Sequence, residues 1–192
     1  MPQTKNTLRI IGGKYRGRRL HFIPCQGLRP TADRVRETVF NWLQGQLADC
    51  QILDLFAGSG AMGLEALSRG AAAATFVEQN RIVAQQLQNN LQILPDMTTD
   101  SHVYTMTAQT WLQQRPLRVF DLVFLDPPFR HHLLRKTSAK LEQSGCLAEE
   151  AWVYVEQAAQ EAWPILPDNW SWYREGCAGQ AKFALLRRAR SG

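Results

Sequence analysis

The chain is predicted to be an α/β protein. Its core is a mostly parallel, seven-stranded sheet covered by helices on both faces, with an antiparallel edge strand and a small N-terminal β-hairpin. Three observations lead there. From residue 51 onward, short apolar segments alternate with helical ones, the order that builds parallel sheets. Segments such as VFDLVFLD (119–126) are apolar at nearly every position, as strands buried on both faces must be. The last two β-rich segments, WSWYREG and AKFALLRR, lie close together and read as an antiparallel pair.

Residues 8–22, LRIIGGKYRGRRLHF, read as two short β segments around Gly12-Gly13 and Gly17, a hairpin or bulge signal. Gly27 and Pro30 then break the chain. Thr31-Ala-Asp33 offers an N-cap for a helix over RVRETVFNWLQGQL, where Val35, Val39, Trp42 and Leu43 share one face. QILDLF (51–56) is a strand, and residues 61–69 form a helix stopped by Gly70. AAATFVE (72–78) is the next strand, and NRIVAQQLQNNLQIL (80–94) is an amphipathic helix ended by Pro95. HVYTM (102–106) and TAQTWLQQ give a strand and a short helix. After VFDLVFLD come a Pro-Pro turn, a helix over 131–144 and a fifth strand, AWVYVEQ (151–157). The expected organisation is a basic extension over 1–30 and an α/β domain over 31–192.

The 192 residues, 45% apolar and 20% charged, suffice for one core without disulfides or a structural metal. No apolar run approaches the ~20 residues of a membrane span. The first residues, MPQTKNTLRIIGG, lack the apolar stretch of a secretory signal. Cys25, Cys50, Cys146 and Cys177 are widely spaced with no CxxC pair, which argues against a zinc site or a disulfide framework. A cytoplasmic protein without metal is expected. Net charge is +5, but residues 1–40 hold nine Lys or Arg against two Asp or Glu, a surplus of +7, leaving the rest at −2. A basic segment on a near-neutral body is the electrostatic footprint of a nucleic-acid binder. Charge alone leaves a solvated basic tail equally open. A second basic cluster comprises Arg130, Arg135, Lys136 and Lys140.

Asp54-Leu55-Phe56-Ala57-Gly58-Ser59-Gly60-Ala61-Met62-Gly63 contains GxGxxG between a strand and a helix, the context that gives this motif its meaning. Glycines let backbone approach a ligand, and the helix start presents free N–H groups. Glu78 lies 20 residues after Gly58, at the end of the next strand, where a carboxylate can bind both ribose hydroxyls of an adenosine. A dinucleotide would bring its pyrophosphate against Asp54 and be repelled. S-adenosylmethionine brings an ammonium and a sulfonium instead, so the acid that opens the loop favours it. A ligand-free turn and a dehydrogenase are the alternatives.

Asp126-Pro127-Pro128-Phe129 closes the most apolar strand, on the same sheet edge as the glycine loop. An exocyclic base amine is a poor nucleophile because its lone pair is delocalised into the ring. Asp126 can accept one N–H and the Pro127 carbonyl the other, turning the nitrogen lone pair toward a sulfonium methyl. Pro128 fixes φ and pre-aims that carbonyl. Phe129 offers a ring for a splayed-out base. The bland alternative is a plain Asp-Pro-Pro turn.

These residues resemble a known family. DLFAGSGAMGLEALSRGA followed by FLDPPF resembles the class I, Rossmann-like methyltransferases that act on amino nitrogens of nucleic acids. RIIGGKYRGRRL, LRPTADRVRETVFNWL, the glycine loop, DPPFR and VYVEQ resemble, in order, the bacterial enzymes that methylate a guanine N2 amino group in small-subunit ribosomal RNA. The resemblance implies S-adenosylmethionine as cofactor and a specific guanine of 16S ribosomal RNA, position 966, as target. The substrate would be the small subunit or an assembly intermediate, and the chain a monomer. Asp126, Pro127, Pro128 and Phe129 would hold the guanine amino group. Asp54, Phe56, Gly58 and Gly60 would line the methionine part of the cofactor, and Glu78 would take the ribose. Lys14, Arg16, Arg18, Arg19 and Arg130 would touch RNA. One departure stands out: where such enzymes often carry Asp or Asn for the adenine amino group, this chain reads Met106-Thr107-Ala108, leaving Thr107 or the backbone for that contact.

Other functions share these motifs. A DNA adenine-N6 or cytosine-N4 methyltransferase uses the same turn, but this length leaves little room for a target-recognition domain. A fold that only binds RNA would not need Asp126 with an intact glycine loop. Protein glutamine methylation fits the basic N-terminus poorly. Arg34 and Glu37 either pair along their helix or belong to a lid, Thr31–Glu37, over the cofactor. His131-His132 read as a solvated helix start. Trp152, Trp163, Trp170 and Trp172 read as core and sheet packing.

Overall fold

A computed structural model of the chain describes residues 6–24, 32–94, 100–114, 118–128 and 133–189. In chain order its elements are β1 (Thr7–Arg9), β2 (Arg19–His21), α1 (Asp33–Trp42), β3 (Gln51–Asp54), α2 (Ala61–Ser68), β4 (Ala73–Glu78) and α3 (Arg81–Ile93). Then follow β5 (His102–Thr105), α4 (Ala108–Gln113), β6 (Phe120–Leu125), α5 (Leu133–Gln143), β7 (Leu147–Ala158), β8 (Trp170–Ala178) and β9 (Ala181–Arg188). The hairpin β1-β2 is antiparallel. The main sheet has the order β5-β4-β3-β6-β7-β9-β8. Its first five strands are parallel neighbours, and β9 runs antiparallel between β7 and the edge strand β8. No helix among the described residues is long and apolar enough to cross a membrane.

Two apolar layers sandwich the sheet. On one face Ile52, Phe76, Phe124 and Tyr154 meet α1, α2 and α3 through Phe40, Leu64 and Leu87. On the other, Leu53, Val123 and Val155 meet α4 and α5 through Trp111 and Leu134. Leu8, Ile10, Tyr15 and Leu20 of the hairpin belong to the first layer, so the basic segment is packed into the main core. The expected boundary near residue 30 lies outside the described residues.

Helix α2 explains why the hairpin sits there. All eight of its residues are buried, so its outer side needs a cover. Glu65 on that side accepts hydrogen bonds from Ile11 N (2.8 Å), Gly12 N (2.7 Å) and Arg69 Nε (2.7 Å). Arg36 of α1, itself fully buried, bonds Glu65, Asp33 and the Arg9 carbonyl. Further along the helix, Lys14 N donates to the Ser68 carbonyl at 2.7 Å and Tyr15 N to Ser68 Oγ at 3.0 Å. Gly13 allows the contact: its φ is +75°, and a Cβ would lie 1.8 Å from the Ser68 carbonyl oxygen.

Local differences from the sequence reading have local causes. Helix α1 has no side-chain N-cap: Ala32 occupies the cap position, and Asp33 inside the first turn pairs with Arg36 instead. Thr31 lies outside the described residues. The helix stops at Trp42, short of the expected QGQL, and Gly45 follows at φ +79°. Strand β7 begins four residues earlier than expected, because exposed Glu149 and Glu150 hide a strand from apolar patterning. Of the tryptophans, Trp170 is buried and Trp152 and Trp163 are half-buried, whereas Trp172 is 49% exposed and rests on Trp163. For Trp172 the packing is thus partial.

Candidate active site

Strands β3 and β6 are neighbours, but the chain leaves them in opposite directions across the sheet, β3 toward β4 and β6 toward β7. Such a switch point opens a crevice at the carboxyl ends of the strands. Register puts Phe76, Asp54, Phe124 and Tyr154 in one row across the sheet there. Strand side chains alternate, so residues two further along share that row's face. Those residues are Glu78, Asp126 and Glu156. Four carboxylates, each at or near the end of a different strand, therefore gather on the face covered by α1, α2 and α3. Among the described residues no three His, Cys, Asp or Glu side chains are grouped to hold a metal ion.

Asp54 is buried and accepts a hydrogen bond from Gly63 N at 3.3 Å. Burial pushes its carboxyl up to about 7; the backbone N–H groups of Gly63 and Phe56 oppose this, and the charge of Glu78 adds to it. Asp126 sits in the protein with only part of its surface open. Burial, then the charges of Glu156 and Asp54, push its carboxyl well above the usual range. No hydrogen bond from a described residue relieves it. Glu156 is 7% exposed, and its Oε2 accepts the Tyr154 hydroxyl at 2.5 Å. Burial raises Glu156 against the opposing bond from Tyr154. Glu78 Oε2 accepts from Gly58 N at 2.9 Å and Oε1 from Asn80 N at 2.7 Å, which leaves each oxygen a further lone pair.

The glycine loop is shaped by its neighbours. Gly60, at φ +77°, caps α2, and a Cβ there would lie 2.3 Å from Leu87 Cδ1. Gly60 offers no side-chain cap to the first N–H groups of α2, of which Gly63 N already donates to Asp54. Phe56 is half-buried and leans on the opposite layer, with α4 and α5. Pro127 and Pro128, with Glu156, Gln157, Arg135 and Glu161, line a cavity of about 50 Å³ past the end of β6. A larger groove, about 460 Å³, runs along the edge strand β5 between Ser101–Tyr104 and Gln88, Leu91 and Gln92 of α3.

The structure gathers Asp54, Phe56, Gly58, Gly60, Glu78, Asp126, Pro127 and Pro128 at one edge, as their motifs imply. Phe129, Arg130, His131 and His132 lie outside the described residues. Lys14, Arg16, Arg18 and Arg19 are exposed on the hairpin, which docks at the far end of α2. That is one helix length, about 12 Å, from the glycine loop. Thr107 is exposed, and its Oγ1 caps α4, accepting from Thr110 N at 3.1 Å. Arg36 is committed to Glu65, so the described part of the expected Thr31–Glu37 lid, residues 32–37, is anchored there by a buried ion pair. Sequence reasoning named neither Glu156 nor Tyr154 as site residues. The available signal is a Glu two residues after a Tyr, at the end of the apolar run Ala151–Val155.

The family model described as Conserved hypothetical protein 95 matches residues 8–187. The chain is 49% identical over 185 residues to "Ribosomal RNA small subunit methyltransferase D" of Escherichia coli strain K12, covering 96% of this chain and 92% of that protein. The solved structure of the Escherichia coli protein yhhF superposes with a TM-score of 0.88 at 46% identity, over 96% of this chain and 99% of that one. Magnesium protoporphyrin IX methyltransferase from Synechocystis, solved with bound S-adenosylmethionine, has a TM-score of 0.62 at 16% identity over 81% and 79%. At that identity the likeness is one of fold.

Proposed function

The chain belongs to the Conserved hypothetical protein 95 family, alongside the ribosomal RNA small subunit methyltransferases D, and from that premise we propose that it methylates the N2 amino group of one guanine in 16S ribosomal RNA, with S-adenosylmethionine as methyl donor. The observation that carries this reading is Asp126. Its carboxylate is largely enclosed, meets no hydrogen-bond donor among the described residues, and stands beside a second acid at the switch point. Such a group is costly in a protein that binds nothing there, and suits one whose ligand brings the missing donor and charge.

The residues present fit the cofactor. An acidic face formed by Asp54 and Asp126 complements a ligand with an ammonium and a sulfonium. The first N–H groups of α2 that Asp54 does not take can hold the ligand's carboxylate. The free lone pairs of Glu78 suit two ribose hydroxyls. Bound there, S-adenosylmethionine supplies an electrophilic methyl group on a positively charged sulfur.

Asp126 accepts one N2–H of the target base and the Pro127 carbonyl accepts the other, which bends the nitrogen lone pair toward the methyl group. Transfer from the bound cofactor would replace its methyl–sulfur bond by a nitrogen–methyl bond, with the electron pair left on sulfur. The nitrogen becomes positive beside Asp126, and its surplus proton passes to that carboxylate and on to solvent. The interaction with Asp126 therefore strengthens along the reaction, as catalysis requires. Phe129 stacks on the base, and Arg130 with the hairpin cations Lys14, Arg16, Arg18 and Arg19 holds RNA phosphates. The segment over 1–30 is the RNA-binding part and 31–192 the catalytic part of a monomer that works in the cytoplasm, on the small subunit or an assembly intermediate.

The test is transfer from labelled cofactor to ribosomal RNA, free and within small subunits, followed by nucleoside mapping. N2-methylguanosine at a single site is expected. Label in N6-methyladenosine, or in DNA alone, would overturn the reading.

A further inference from the structure

Glu156 has no task in the reaction as derived so far. Leu125 and Val155 are the last recorded pair of the β6–β7 ladder, so Asp126 and Glu156 come next, on adjacent strands about 4.8 Å apart. Both point to the same face. The charge of Glu156 adds to Asp126's cost of ionising, burial raises that of Glu156, and no cation among the described residues answers either. Only one side of Glu156 is engaged: Oε2 takes the Tyr154 hydroxyl, and no described residue donates to Oε1. Tyr154 is fully buried between Phe124 and Phe183, so its hydroxyl is a fixed point that sets the rotamer of Glu156. A rigidly held carboxylate oxygen thus stands next to the oxygen that receives the target amine.

Two neighbouring acceptors call for two neighbouring donors. The Watson–Crick edge of guanine has them, N1–H beside N2–H₂. Adenine does not: beside its amino group stands the N1 lone pair, which a carboxylate repels. Cytosine likewise carries a lone pair, on N3, beside its amine. We propose that Glu156 selects guanine, its Oε1 accepting N1–H while Asp126 and the Pro127 carbonyl accept the N2 hydrogens. This rests on the proposed guanine-N2 function and explains how the site achieves it. A polar site built around a donor rejects analogues lacking that donor far more strongly than an apolar pocket rejects a misfit.

The test compares guanine with 2,6-diaminopurine at the methylated position of small-subunit RNA. The analogue keeps the 2-amino group but presents a lone pair at N1. With the native enzyme, single-turnover kcat/KM should fall on the order of a hundredfold or more on the analogue. In Glu156→Gln the Tyr154 hydroxyl holds the amide oxygen, which turns the amide N–H₂ toward the base. The preference should then shrink at least about tenfold, mainly by loss on guanine, with cofactor affinity unchanged and the unfolding midpoint no lower than that of the native enzyme. Native enzyme that methylates guanine and the analogue alike would overturn the proposal while leaving the guanine-N2 function intact. So would a Glu156→Gln enzyme with undiminished preference. The native comparison needs no variant and decides the matter even if Glu156→Gln folds poorly. Methylation of adenine N6 by the native enzyme would overturn the proposal and the function beneath it together.

Discussion

Asp54 makes the ligand-free protein sensitive to pH in a definite direction. Its carboxyl is raised from 3.8 to about 7, so the folded state holds this proton more tightly than the unfolded chain. Stability contributed by the protonated form is present at pH 4 and is lost as pH rises toward and through 7. Asp126 and Glu156 are shifted the same way. The thermal midpoint of the cofactor-free protein should therefore fall between pH 5 and 8, and Asp54→Asn should flatten that slope. Affinity for S-adenosylmethionine should rise over the same window, because its positive charge favours the ionised acids. The demethylated product lacks the sulfonium and should show a weaker rise. Thermal melts and calorimetry across that range check this, and flat profiles for both ligands would contradict it. Asp54, Glu78 and Asp126 were legible as single residues because each ends a strand next to a motif. Glu156 was not, since its meaning depends on register with β6, some thirty residues away. Glu65 and Arg36 were hidden for a similar reason: a charge on a buried helix reveals its purpose only when its partners from distant segments are in place.

Helix α2 links two functions in one element. Its start shapes the glycine loop, and its end carries the hairpin through Glu65 and Ser68. The hairpin backbone is therefore a structural cover, while the side chains of Arg16, Arg18 and Arg19 are exposed. Replacing Arg16, Arg18 and Arg19 with Ala should weaken RNA binding and reduce the salt slope by about one unit per lost phosphate contact. Cofactor affinity should not change, because none of the three touches the Glu65 and Ser68 clamp among the recorded bonds. Filter binding across a salt series reads this directly. An unchanged slope would reassign the arm to folding alone. Helices with a periodic apolar face, such as α3, were predicted nearly to the residue. The start of β7 and the end of α1 were not, because exposed glutamates mask the first and a turn with Gly45 at positive φ sets the second.

At the scale of the whole molecule, strand order turns separate motifs into a site. Alternating strands and helices announced a parallel sheet, and the two final strands announced the antiparallel edge. Strand β9 lies inside β8 although it follows it in sequence, because the buried Phe183–Leu186 run of β9 takes the position with two neighbours and the mostly exposed β8 takes the edge. The switch point between β3 and β6 sets Asp54 beside the strand that ends in Asp126, and β7 adds Glu156. Everything proposed for the chemistry depends on Asp126 acting on the amine rather than merely ending a turn.

The most direct measurement is single-turnover methylation of small subunits, or of their RNA, at saturating cofactor. Asp126→Ala removes both acceptor and charge and should slow the step on the order of a hundredfold or more, the usual scale for deleting one preorganised electrostatic group. Cofactor and RNA affinity should change little by comparison. Asp126→Asn, whose amide oxygen can still accept a hydrogen bond, should retain part of the rate. An Asp126→Ala enzyme that transfers methyl at the native single-turnover rate would mean the amine is activated elsewhere, and would contradict the role assigned to this carboxylate.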